Sequence, residues 1–273
     1  MLKVLNSTSF RRFTLDWCTT IVLLLYFFII AERAGPFYRQ FSLNDLTISH
    51  PFAYQERVSG VKCILIAVFV PIACFLSVIA YKHKSFAFQT KQVSLFQVSV
   101  LGLLLSLSID GVVTDALKNW IGRPRPDFLA RCGPRSDSPL DQLVDVSVCT
   151  APLGKALLLD GMRSTPSGHA SISFSLLMFL TLWLFGQFKA FKSQQPVLKA
   201  CLCALPLLLA SYIALSRVQD YRHHFVDITL GTIIGSSCAI AMYHKYFNPL
   251  WDTTCDKIVD DEEESILPQY THP

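Results

Sequence analysis

Six apolar runs alternate with polar segments along the chain, at about 15–31, 63–81, 93–117, 170–188, 197–215 and 226–243. Each run is about as long as a helix needs to cross the hydrocarbon core of a bilayer. In lipid every backbone polar group must be satisfied within the segment, so the runs predict helices. Pro71 and Pro206 fall inside two of them, where a bundle tolerates proline and Pro71 predicts a kink. Gly231 and Gly235, four apart in the last run, fit a close helix contact. The pattern predicts an all-α integral membrane protein with six transmembrane helices in one bundle. It divides into an N-terminal cytosolic segment at 1–14, a six-span domain at 15–245 and a polar acidic tail at 246–273. The tail includes an acidic run at 260–264, expected to be solvated.

Composition agrees. Of 273 residues, 52% are hydrophobic and 16% charged, against about 25% charged in a soluble domain. The net charge of +4 is spread over several loops, so no basic stripe suggests nucleic acid. The first run exceeds the core of a signal peptide and no small-residue cleavage site follows it, so it reads as a retained span. Cys18, Cys63, Cys74, Cys201, Cys203 and Cys238 lie in or beside apolar runs and read as small buried hydrophobes. Cys132 and Cys149 share one polar loop and could pair if it faces an oxidising lumen. Asn6-Ser7-Thr8 fits a glycosylation sequon that stays silent on the cytosolic side.

Three polar clusters interrupt this pattern. The first is Lys118-Asn119-Trp120-Ile121-Gly122-Arg123-Pro124-Arg125-Pro126, the second Thr165-Pro166-Ser167-Gly168-His169. The third runs from Ser216-Arg217 through His223 to Asp227. The first two share the segment between the third and fourth spans, and two further crossings precede the third. All three therefore face one compartment. Lys3, Arg11, Arg12, the 82–91 loop, Lys189, Lys192, Lys199 and Lys245 lie on the other side. Basic short loops favour the cytoplasm, which directs the clusters to a lumen or the exterior. The segment 118–169 itself holds seven Lys plus Arg, and those committed to an anion are discounted.

The residue types suit a phosphate ester. Phosphoryl transfer depends on positioning and on neutralising the equatorial oxygens. Arginine supplies a bidentate fork and lysine a point charge. Lys118 and Arg125 are seven apart, two turns if the helix continues, with Pro124 and Pro126 expected to end it. A basic membrane flank would explain this cluster equally well. Ser167-Gly168-His169 precedes a span, where glycine and helix-start N–H groups suit an anion; a plain helix start is the alternative. His169 could protonate a leaving oxygen. His223 and Asp227 would share a helix face, the carboxylate orienting an imidazole nucleophile. His224 and Asp227 also make a feasible pair, and spacing does not choose between them. Asp115 lies one turn before Lys118, either as its charge partner or as a carboxylate in the wet interface; Asp110 lies deeper.

In order and spacing the three clusters resemble the signatures of the type 2 phosphatidic acid phosphatase superfamily, the lipid phosphate phosphatases. The stretches at 44–51 and 219–227 further resemble fungal diacylglycerol pyrophosphate phosphatase. The resemblance spans most of 13–245. It implies a phosphohistidine mechanism with catalytic His169, His223 and Asp227. His223 is the implied nucleophile, Asp227 its orienting group, and His169 the acid and then the activator of water. Lys118, Arg125, Ser167, Gly168 and Arg217 are implied to bind phosphate, with no metal and no cofactor. Implied substrates are phosphatidate, diacylglycerol pyrophosphate and lysophosphatidate at a bilayer. Polyprenyl or sphingoid-base phosphates are rival substrates, and a non-catalytic binder or transporter is the rival class. The implied location is an endomembrane (vacuole, endoplasmic reticulum or Golgi) with a lumenal site, or the plasma membrane.

Overall fold

The computed structural model describes residues 11–84, 89–192 and 194–259. Lys3, the sequon at 6–8 and the acidic run at 260–264 lie outside the described residues. Six helices are long and apolar enough to cross a membrane. They are α1 (Thr14–Tyr26), which closes in a π-helical turn at Phe27–Ala31, then α2 (Gly60–His83) and α3 (Thr90–Ile121). Two short helices, α4 (Phe128–Cys132) and α5 (Lys155–Asp160), precede α6 (Gly168–Phe188), α7 (Val197–Gln219) and α8 (Phe225–Tyr246). The six expected spans are all present. Pro71 and Pro206 sit inside continuous helices.

α6 is the central helix, packed against α2, α3, α7 and α8. Leu176, Leu177, Phe179, Leu180 and Trp183 on it are completely buried, and the Phe75 ring of α2 lies tilted against Trp183, centroids 4.6 Å apart. Helices in lipid gain little from hydrophobic burial against one another, so close backbone approach matters more. Gly231 and Gly235 provide it, as expected. A Cβ on either would strike a main-chain oxygen of α6, that of Ser167 or Ser171.

α3 overruns the expected span by a turn and carries Lys118 in its last turn. It ends at Gly122, whose φ of 59° is left-handed and suits glycine. The prolines therefore do not end it, and Arg125 lies beyond the helix rather than two turns along it. The segment between α3 and α6 is also more than a loop. Together with residues 32–59 it forms a cap over that end of the bundle, with a small core of Phe41, Ile48, Phe128, Val144, Leu158 and Met162. Cys132 and Cys149 are joined by a disulfide inside the cap.

Candidate active site

Beneath the cap lies a cavity of about 370 Å³. Phe27, Phe28, Val61, Ile64 and Ile172 form its apolar wall, and polar and charged side chains make up much of the rest. Lys118, Arg125, Gly168, His169, Arg217 and His223 all line it. Three segments far apart in the chain thus meet at one face of the bundle. Ser167 and Asp227 are fully buried just behind.

α3 delivers Lys118, whose Nζ lies 3.5 Å from Asp115 Oδ1, so the carboxylate one turn back is its charge partner. Lys118 also crowds Gly168, where a Cβ would fall 2.7 Å from Nζ. A side chain at this position would push the tip of the lysine aside. Arg125 is held at both ends of its fork: Nε donates to the Asp160 main-chain oxygen (2.9 Å) and Nη2 to Asp160 Oδ1 (2.8 Å). Burial lowers the guanidinium to about 10, and Asp160 counters it, so Arg125 stays charged at neutrality. Burial alone would raise the Asp160 carboxyl, but Arg125 and Arg131 together hold it below the ordinary carboxylate range.

Ser167 caps α6, its hydroxyl accepting from Ala170 N at 3.5 Å, and its own N–H donates to the Asp227 main-chain oxygen at 2.9 Å. His169 follows in the first turn of α6. Its Nε2 is 3.2 Å from the Val58 carbonyl, which also accepts from Arg217 Nη1 at 2.8 Å. One carbonyl in the first polar segment therefore ties the second cluster to the third. Glu56 Oε2 adds a contact to Arg217 at 3.2 Å.

His223 is 2% exposed and its Nδ1 lies 2.7 Å from the Ser164 carbonyl. A carbonyl can only accept, so Nδ1 carries the hydrogen. Burial first, then the charges of Arg125, Lys118 and Arg217, hold the imidazole well below its ordinary value. The neutral ring thus keeps an unprotonated Nε2, the form a nucleophile requires.

Asp227 and His223 stand at ion-pair distance without a hydrogen bond. Asp227 Oδ2 is 3.9 Å from His223 Nδ1. The reason is local: α8 begins at Phe225 with His224 as its N-cap, so His223 lies outside the helix and the four-residue spacing does not apply. His224 pairs with Asp227 instead, through its main-chain N–H (2.8 Å) and Nδ1 (3.2 Å). Asp227 also accepts from Ser164 Oγ (2.6 Å), Arg123 Nη1 (3.1 Å) and Thr165 Oγ1. It therefore fixes the Ser164–Thr165 segment whose carbonyl holds His223. His224 is half-buried and turned to the Thr47 carbonyl at 3.2 Å, away from the residues lining the cavity.

Asp160, Glu56, Val58 and Ser164 have no place in the sequence argument. Ser164 adjoins the second cluster, a signal that proximity alone could have raised. Glu56 and Asp160 had none, because their partners are distant in the chain.

Residues 99–251 match a family model described as the PAP2 superfamily. The chain is 43% identical over 235 residues to the protein named "probable diacylglycerol pyrophosphate phosphatase 1" of Schizosaccharomyces pombe, covering 86% of this chain and 81% of that one. It is 42% identical over 258 residues to diacylglycerol pyrophosphate phosphatase 1 of Saccharomyces cerevisiae, covering 92% and 86%. Lipid phosphate phosphatase 2 of Arabidopsis thaliana is 37% identical over 238 residues, covering 87% and 78%. No solved structure matches the chain.

Proposed function

The chain belongs to the PAP2 superfamily, and on that premise we propose that it is a membrane hydrolase of lipid phosphates. Its substrates are diacylglycerol pyrophosphate, phosphatidate and lysophosphatidate, and hydrolysis runs through a phosphohistidine without a metal. The observation that carries the reading is His223, its Nδ1 2.7 Å from the Ser164 carbonyl, in a cavity lined by Lys118, Arg125 and Arg217. A simple anion binder needs the three cations but gains nothing from an imidazole held neutral among them.

The lipid phosphate enters the polar end, where the three cations and Gly168 receive its oxygens, with Ser167 fixing the backbone behind them. His223 Nε2 forms a bond to phosphorus, and the bond from phosphorus to the leaving oxygen breaks. His169 supplies the leaving oxygen with a proton, then takes one from water as water displaces the imidazole. Asp227 acts one residue removed, by holding the segment that orients His223. The apolar wall receives the lipid body.

Diacylglycerol pyrophosphate heads the substrate list because two relatives similar over most of the chain are named for it, and a third is named for lipid phosphates, the class to which phosphatidate belongs. The site faces a lumen or the exterior. Two features support this: Lys82, Lys189, Lys192 and Lys199 lie at the opposite face, and the Cys132–Cys149 disulfide belongs to an oxidising compartment. An endomembrane lumen is the proposed location.

The test is phosphate release from both lipids in detergent micelles with EDTA, wild type against His223→Ala. Wild type is expected to release phosphate, and the variant to lose about a thousandfold or more in kcat. Equal rates would remove His223 as nucleophile.

A further inference from the structure

The cavity is lined by a fourth cation, an arginine outside the three clusters. Arg163 lines the cavity and its side chain is 10% exposed. Its Nη1 donates to the Glu32 main-chain oxygen at 2.9 Å. Its Nε and Nη2 are buried and have no hydrogen-bond partner among the described residues. The nearest acids are Asp115 Oδ1, 3.6 Å from Nη2, and Glu32 Oε2, 3.8 Å away. These are ion pairs without hydrogen bonds. Unmade bonds on a buried cation are costly, and a ligand in the cavity would complete them.

The position is as informative as the unmade bonds. Lys118 Nζ approaches the same Asp115 Oδ1 at 3.5 Å, so Lys118 and Arg163 stand over one oxygen. An anion beside the one held by Lys118, Arg125 and Arg217 would therefore meet Arg163. Burial and then Asp115 raise the Glu32 carboxyl above its ordinary range, which moves it toward the neutral form and weakens its opposition to a second anion. Phe27 and Phe28, in the turn just before Glu32, begin the apolar wall on this side. A lipid whose tail follows that wall presents its inner phosphate to Arg163.

Resting on the phosphatase reading above, we propose that Arg163 forms a second phosphate subsite, which takes the inner phosphate of a lipid pyrophosphate. In that reaction His223 Nε2 bonds to the terminal phosphorus and the bond to the bridging oxygen breaks. The electron pair stays on the bridging oxygen, now part of a phosphate monoester held by Arg163. Water then displaces the imidazole, releasing inorganic phosphate and restoring His223. A lipid monophosphate places its single phosphate at the first subsite and has none for Arg163. Arg163 is thus a specificity residue: it raises turnover of the pyrophosphate lipid relative to the monophosphate.

The experiment compares kcat/KM for diacylglycerol pyrophosphate and phosphatidate in wild type, Arg163→Gln and Arg163→Lys, in micelles with EDTA. The pyrophosphate-to-monophosphate ratio is expected to fall about tenfold or more in Arg163→Gln, the scale of one charge-assisted hydrogen bond, and to recover partly in Arg163→Lys. A ratio unchanged in Arg163→Gln would overturn the subsite while leaving the phosphatase reading intact. Release from neither lipid by wild type would remove that reading and the subsite with it. Should the variants not fold, wild type decides alone. Methylenediphosphonate should inhibit phosphatidate hydrolysis at about a tenfold lower concentration than inorganic phosphate, and equal inhibition by the two would overturn the proposal.

Discussion

The bundle and the cap over it differ in how much of their packing is charged. Around α6 the contacts are apolar and close: Trp183, Phe179 and Leu176 are completely buried, and α8 lies against the α6 backbone through Gly231 and Gly235. In the cap, a chain of ion pairs is added to the small apolar core and the disulfide. Arg125 pairs with Asp160 at 2.8 Å, Asp160 with Arg131 at 2.8 Å, and Arg131 with Asp127 at 2.9 Å. Asp127 meets Arg222 at 3.4 Å, Arg222 meets Glu56 at 3.0 Å, and Glu56 meets Arg217 at 3.2 Å. This chain of ion pairs runs unbroken from one proposed phosphate-binding arginine to another. Phe52 lies under Arg131 and Arg222, its ring centre 5.1 and 4.3 Å from the two guanidiniums. The bundle brings three segments of backbone to one face, and the cap then aims their side chains. Stability should therefore reside mainly in the first region and reaction rate in the second.

That division can be broken by substitution. The largest effect is expected from Gly235→Leu, whose side chain must displace the Ser171 main-chain oxygen. Overpacking against a backbone cannot be relieved by a rotamer change. The outcome is loss of a monodisperse peak in detergent gel filtration, and a folded variant of normal Tm would contradict the account of the bundle. Asp160→Asn comes next. It removes the carboxylate shared by Arg125 and Arg131 but leaves the main-chain bond to Arg125. We expect kcat/KM to fall about tenfold or more while gel filtration is unchanged. A collapse like that of Gly235→Leu would show that cap and bundle are one unit.

Glu56→Gln should have a smaller effect. Arg217 keeps the Val58 carbonyl and Asp220, 3.5 Å away, so kcat/KM should fall by about tenfold or less. An effect as large as that of Asp160→Asn would mean that Glu56 does more than position Arg217. The least invasive probe is pH. His223 has a depressed value, so its neutral form persists as pH falls through about 6.5, the ordinary imidazole value, and is lost only below it. The acid limb of kcat/KM should lie below that pH. A limb at or above it would mean that His223 is not held neutral.

The two regions were also unequally legible. Lipid imposes its demand on each span separately, so hydropathy alone located all six helices, and the close contact at Gly231 and Gly235 followed from their spacing. Helix ends were less accessible. The stop at Gly122 precedes Pro124, and the start at Phe225 leaves His223 outside α8. That single boundary leaves His223 and Asp227 3.9 Å apart and gives the hydrogen bonds of Asp227 to His224 instead. The cap left almost no trace in the sequence. Arg57 pairs with Asp220 at 2.7 Å and Arg222 with Asp127 across long stretches of chain, and no periodicity marks such partners. Arg163 was counted only as one basic residue among seven, because its unmade hydrogen bonds exist only in three dimensions.

The central claim is that His223 accepts the phosphoryl group. The most direct measurement is a rapid acid-free quench of His169→Ala mixed with diacylglycerol pyrophosphate labelled in its terminal phosphate. That leaving group needs little protonation, so the first step should proceed while the attack of water, which His169 assists, is slowed. The account predicts an acid-labile, alkali-stable label on His223, absent when His223 is also replaced by alanine. Phosphate release from wild type, with no label on the protein or with the label on another residue, would contradict it.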